Sequence, residues 1–173
     1  MSHLSRALRA ASAAALVGGF AFAGTAPATA DPNTGSSSDI NTLAGMLAKG
    51  YGLNNCKSAD VSNTKELAEF NCGQNPDPNG PAAAVYMLFA NSTDLAAAFS
   101  SNLKDMTQNA CGGNVQSPGT WSQNGQTGGQ LACGTYQGAA VILWTTDSKN
   151  VLGHLRSSGT DMGALYKWWQ TNT

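Results

Sequence analysis

The stretch LACGTYQGAAVILWTTD at positions 131–147 decides the fold. It contains a cysteine, a turn at Gln137-Gly138 and then residues 139–144, the most apolar run after the first 30 residues. Such a run, rich in β-branched and aromatic side chains and bounded by turn residues, is typical of a strand buried on both faces. A weaker copy at 82–90 follows Cys72 and a turn that contains three prolines. The sequence therefore predicts two similar strands, each of which follows a cysteine.

The first 30 residues have the three parts of a signal peptide: two arginines, a small-residue apolar segment at 10–23, and the cleavage motif Ala28-Thr29-Ala30. The apolar segment is shorter than a membrane span requires and is interrupted by two glycines. We therefore expect a secreted protein, extracellular or in the cell envelope, with no membrane span. Residues 31–38 are polar and rich in Gly, Pro and Ser, which predicts a flexible lead-in.

Composition limits the partners of the remaining chain. Residues 31–173 carry seven Lys and Arg against ten Asp and Glu, a net charge of about −3. Without a block of basic residues, neither nucleic acid nor an anionic membrane surface is an expected partner. The length corresponds to about one domain, so we predict a single domain at 39–173, expected to be a monomer.

All four cysteines follow the predicted signal peptide, namely Cys56, Cys72, Cys111 and Cys133. An even number of cysteines outside the cytoplasm indicates two disulfides. A zinc site is the alternative, but the sequence has no CxxC spacing and only His154 follows the signal peptide. Cysteine spacing alone leaves all three connectivities open.

The two parts of the chain, 39–110 and 111–173, share an order of elements, which suggests an internal repeat. After an N-terminal helix, each part has a cysteine, a strand with a second cysteine, a turn, an apolar strand and a capped helix. We therefore predict two ββα-like halves. This hypothesis favours Cys56–Cys72 and Cys111–Cys133, because each bond then closes a short loop within its own half.

The elements together predict an α+β fold with about four antiparallel strands and helices mainly on one face. Residues 114–129 are predicted to form a long polar loop, and 147–156 a turn followed by a short helix or a frayed strand. Residues 65–72 are helical by propensity, but their parallel with residues 129–133, which also end in a cysteine, favours a strand. Ser92 or Thr93 is expected to cap the helix after the first apolar strand, and Thr160 the last helix.

The cysteine order, the segments LAC (131–133) and VILWTTD (141–147), and the tryptophan pair at 168–169 carry a resemblance. They resemble a group of small secreted actinobacterial proteins and the extracytoplasmic C-terminal regions of some actinobacterial serine/threonine protein kinases. The similarity covers most of residues 43–169. It implies a disulfide-bonded, sensor-like module outside the membrane and supplies no catalytic or binding residues. Unlike those kinases, this sequence contains no kinase domain and no predicted anchor.

Catalysis is the less favoured function. His154 is the single candidate base after the signal peptide and lies near Asp147 and Asp161 in sequence. A lone histidine is more often a packing or surface residue, and no hydrolase, redox or metalloprotease motif is present. We therefore predict a non-catalytic binding or interaction module with no catalytic residue, metal or cofactor. The alternative is a small secreted enzyme that uses His154 with a nearby carboxylate.

Aromatic residues are the remaining candidates for a binding surface, and most are expected to be core. The predicted surface for a small molecule, a cell-envelope component or a protein consists of Trp121, Tyr136, Tyr166 and Trp168. Trp169 shares a helical stripe with Met162 and Leu165, so it is expected to seal the core. Trp168 lies about 100° round the same helix and is expected to stay partly exposed.

Overall fold

The computed structural model describes residues 33–173, so the predicted signal peptide at 1–30 lies outside the described residues. The described chain forms three α-helices, eight β-strands and two short 3₁₀ turns. The helices are α1 (Ser37–Ala44), α2 (Ser92–Lys104) and α3 (Met162–Asn172). The strands are β1 (Cys56–Ser58), β2 (Glu66–Cys72), β3 (Ala83–Phe89), β4 (Thr107–Gln108), β5 (Gly119–Gln123), β6 (Gln126–Tyr136), β7 (Ala139–Thr146) and β8 (Val151–Arg156). Helix α1 begins inside the predicted lead-in, with Ser36 as its N-cap.

The eight strands form one sheet in the order β1-β2-β3-β8-β7-β6-β4, and β5 pairs with β6 beside β4. All pairings are antiparallel, which confirms the predicted α+β class with an antiparallel sheet. The prediction of about four strands is wrong. The strands that it missed are β1, β4 and β5 near the sheet edges, where side chains are mostly polar, and β8 in the centre.

Strand β7 is buried on both faces, as its apolar run predicts. Alternate residues point to opposite faces of a strand, and here Ile142 and Trp144 join one hydrophobic cluster while Leu143 joins another. The turn before β7 has positive φ at both Gln137 (48°) and Gly138 (76°). This backbone is that of a two-residue hairpin turn whose twist matches the flanking strands.

Helices cover both faces of the sheet. Helices α1 and α3 pack on the face that contains Trp144, called here the α1/α3 face. Helix α2 packs on the opposite face, the α2 face, with Leu95 and Phe99 buried against Leu143 and its neighbours. Two of the three helices in residues 33–173 therefore share a face, and α2 lies alone on the other. Asn91 caps α2 and Asp161 caps α3, each one residue from the predicted position.

Strand β8 corrects the prediction for residues 147–156. The strand alternative is correct and the helix alternative is wrong, but the strand is not frayed, because it pairs with β3 on one side and β7 on the other. Gly153 in its middle leaves room for the Trp144 ring, which a Cβ at that position would overlap. Because β5 precedes β6 and β8 separates β7 from α3, the second half has the order ββββα rather than the predicted ββα.

Both predicted disulfides are confirmed. Cys56–Cys72 joins β1 to the residue directly opposite on β2, with a Cα–Cα distance of 3.9 Å. Cys111–Cys133 ties the segment after β4 to β6, with a Cα–Cα distance of 5.2 Å. No helix within residues 33–173 is long and apolar enough to cross a membrane.

Candidate ligand-binding cleft

Residues 114–129 are predicted to be a polar loop, but residues 119–123 form β5 and residues 126–129 the start of β6. Asn124 and Gly125 both have positive φ, so they form a tight hairpin turn. This hairpin places β5 opposite the last turns of α3, and a cleft of about 260 Å³ lies between them. The β5–α3 cleft is lined by Thr120, Trp121, Ser122, Gln123, Tyr166, Trp169, Gln170 and Thr173.

Trp121 forms the wall of the β5–α3 cleft and is held in place at two points. Its indole Nε1 donates a hydrogen bond of 2.7 Å to the carbonyl oxygen of Thr145. Its ring lies against Gly128, where a Cβ would overlap the six-membered ring. The sheet register also shifts between Trp121 and Ser122, a bulge that redirects the side chains that follow. The ring stays partly exposed in this fixed position.

Tyr166 and Trp169 on α3 form the floor of the cleft. Their rings stack with centroids 5.7 Å apart and an interplanar angle of 16°. Trp121 meets Trp169 edge to face at 5.6 Å, and Trp169 continues into the core through an edge-to-face contact with Trp144 at 6.1 Å. Such pairs add about 0.5–1.5 kcal/mol beyond their buried area. The cleft is therefore continuous with the core. Trp169, which was predicted to seal the core, is the residue that joins the two.

The side chains that line the cleft are uncharged. Burial raises the pKa of the Tyr166 hydroxyl, so this group stays protonated near neutral pH and can both donate and accept a hydrogen bond. The indole Nε1 of Trp169 is buried without a hydrogen-bond partner. The cleft thus combines aromatic faces with neutral hydrogen-bonding groups.

Trp168 does not belong to this site, which corrects the sequence prediction. It is 5% exposed, the same as Trp169. Its indole Nε1 donates a 2.9 Å hydrogen bond to Oδ2 of Asp77, and its ring packs edge to face on Tyr51. The helical angle to Trp169 does not expose Trp168, because the proline-rich turn between β2 and β3 folds over it.

Tyr136 lies apart from Trp121 and Tyr166. It is 37% exposed at the end of β6 and lines a smaller cavity of about 160 Å³ beside the C-terminal end of α2. This α2-end pocket is lined by Asn102, Asp105, Met106, Tyr136, Leu143 and His154. The structure therefore brings two of the four predicted surface residues together, buries one and places the fourth in another cavity.

His154 lies in the α2-end pocket without the predicted acids. Burial, and secondarily the charge of Arg156, lower the pKa of His154, so its imidazole is neutral near pH 7. Asp147 bonds the Thr145 hydroxyl, and Asp161 caps α3. Within residues 33–173 no hydrogen bond joins His154 to a carboxylate, and no cluster of three potential metal ligands occurs. The enzyme alternative stays a prediction.

Sequence reasoning missed the glutamines and hydroxyl groups of the cleft. The Asn124-Gly125 pair between TWSQ and QTGG was a usable indication, because Asn-Gly is a strong hairpin signal when strand-forming residues flank it. Nothing in the sequence indicated that this hairpin would face the end of α3.

Comparison with protein-family models, with curated proteins and with solved structures finds no match to this chain. The assignment of function therefore rests on the geometry and chemistry of the sites described above.

Proposed function

We propose that the protein is a secreted, non-catalytic binding module whose ligand enters the β5–α3 cleft. The observation that carries this proposal is the convergence of Trp121, Tyr166 and Trp169 from two separate elements onto one open cleft. Fixed aromatic rings with a few neutral polar groups are the usual composition of a ligand site. They bind a ligand without supplying a reactive group.

The proposed location and role follow from two further features. Two disulfides suit an oxidising compartment outside the cytoplasm. The proposed role is the sensor-like one that the kinase resemblance implies, namely that of a module, expected to be a monomer, that recognises a small molecule, a cell-envelope component or a protein.

The binding site can be tested by nuclear magnetic resonance with a library of small neutral fragments. We expect hits to shift the indole N–H signal of Trp121 together with the side-chain amide signals of Gln123 and Gln170, since these groups line one cleft. Trp121→Ala should abolish these shifts, whereas Tyr136→Ala, which removes an aromatic ring from the other cavity, should preserve them. Hits confined to His154 and Tyr136, or no hits, would contradict the proposal.

Export can be tested by intact-mass analysis of the protein from culture supernatant. The mature form is expected to begin at Asp31, because the Ala28-Thr29-Ala30 motif ends immediately before it. A secreted protein that retains residues 1–30 would refute the predicted cleavage, and a protein found only in the cytoplasm would refute secretion.

A further inference from the structure

The chemistry of the β5–α3 cleft is specific enough to name a class of ligand. We infer that the cleft binds one ring of an uncharged saccharide; this inference rests on the proposed function and deepens it. It is carried by the aromatic surfaces, the polar rim, the absence of charged side chains in the lining and the size of the cleft.

The aromatic surfaces suit the apolar side of a sugar ring. Trp121 and Tyr166 are partly exposed, whereas Trp169 behind them is nearly buried. A pyranose ring presents axial C–H groups on one side, and these pack on the electron-rich face of an aromatic ring. The hydrogen bond from Trp121 to Thr145 and the Gly128 backbone fix the Trp121 ring before a ligand arrives. Little side-chain entropy is then lost on binding.

The polar rim suits the hydroxyl groups of a sugar. Gln123 and Gln170 are exposed on opposite sides of the cleft, one on β5 and one on α3. Each amide offers two donors and an acceptor, which matches neighbouring hydroxyl groups that both donate and accept. Thr120, Ser122 and Thr173 add further hydroxyl groups to the rim. An apolar ligand such as a lipid chain would leave these groups unpaired.

The uncharged lining argues against anionic ligands. Phosphate and carboxylate groups are recognised by Arg and Lys, whose charged hydrogen bonds are the strong ones. The cleft contains neither residue. An anionic ligand is therefore disfavoured, and acidic glycans should bind more weakly than neutral ones.

The size of the cleft limits how much of the ligand it encloses. Its volume of about 260 Å³ lies just below the range of pockets that hold drug-sized molecules. One sugar ring fits this space, and the rest of a longer glycan would extend over the exposed rim.

The test is a glycan array that carries neutral and acidic oligosaccharides, followed by calorimetric titration of the best soluble trisaccharide. We expect binding to neutral glycans, weakened at least about tenfold by Trp121→Ala. The double variant Gln123→Ala/Gln170→Ala should also weaken binding about tenfold, because it removes two exposed amides without touching the core. Two variants serve as matched controls: Gln108→Ala, which changes an exposed glutamine outside the cleft, and Tyr136→Ala. Circular dichroism confirms that each variant is folded.

Four other outcomes overturn the inference and are distinguishable. If neutral fragments or a proline-rich peptide shift the Trp121 signal and no glycan does, the cleft binds a different class of ligand. Preference for acidic glycans would exclude the neutral class. Glycan binding that survives both cleft variants would place the saccharide site elsewhere, and no binding of any probe at the cleft would overturn the proposed function as well.

Discussion

Trp168→Ala is expected to lower the free energy of unfolding by about 3–5 kcal/mol, as much as Trp169→Ala. Both side chains are 5% exposed, and each lies among other aromatic rings. Removing Trp168 also takes the indole donor away from the Asp77 carboxylate and opens a cavity beneath the proline-rich turn. A loss of this size is a large part of the stability of a small domain.

Urea unfolding followed by circular dichroism measures both variants. Tyr136→Ala is the matched control, because Tyr136 is 37% exposed and its removal should cost little. If Trp168→Ala were as stable as this control, the ring would be exposed in solution, as the sequence alone predicts. In that case Trp169→Ala should still unfold at a lower urea concentration than the unsubstituted protein.

Replacing both Cys111 and Cys133 by alanine is expected to lower the free energy of unfolding by about 3 kcal/mol. The bond closes a loop across a sequence separation of 22 residues, and its loss lets the unfolded chain explore more conformations. It also anchors the segment that leads into β5. Gly112 in that segment packs against the Tyr166 ring, so the floor of the cleft should loosen.

The second disulfide provides the matched control. Cys56→Ala/Cys72→Ala removes a bond with a separation of 16 residues at the other end of the sheet and should cost a similar free energy. Chemical denaturation compares the stabilities, and the Trp121 indole signal reports on the cleft. Equal perturbation of that signal by both double variants would show that Cys111–Cys133 has no special role in the cleft.

The parts of the fold that sequence predicted are those set by local chemistry. The apolar run 139–144 could only be a buried strand, and the Gln137-Gly138 turn fixed its hairpin with β6. The disulfide pairing followed from the shared order of elements in the two halves. The helix after the first apolar strand was also predicted, and its residues Leu95 and Phe99, four positions apart, are both buried.

The parts that sequence missed depend on contacts between distant segments. The Gly153-His154 pair weakens the strand pattern of β8, and only its pairing with β3 and β7 makes it a strand. Trp168 looks exposed on a helix considered alone, but Asp77 and its turn cover it. Two residues of the cleft, Trp121 and Tyr166, were predicted as surface candidates. The packing of β5 against the end of α3 was not predicted, because it depends on contacts between segments that are distant in sequence.

The position of β8 also determines when the sheet can be completed. Strand β8, which comes late in the sequence, lies between β3 and β7. The second edge of β3 (residues 83–89) can therefore be paired only after residues 151–156 have been synthesised. Formation of such non-local pairs must overcome a large loop-closure entropy. The nascent chain cannot build this sheet progressively as it is synthesised, and a chain cut before Val151 leaves two interior strand edges open to other molecules. Truncation before Val151 is therefore expected to promote aggregation.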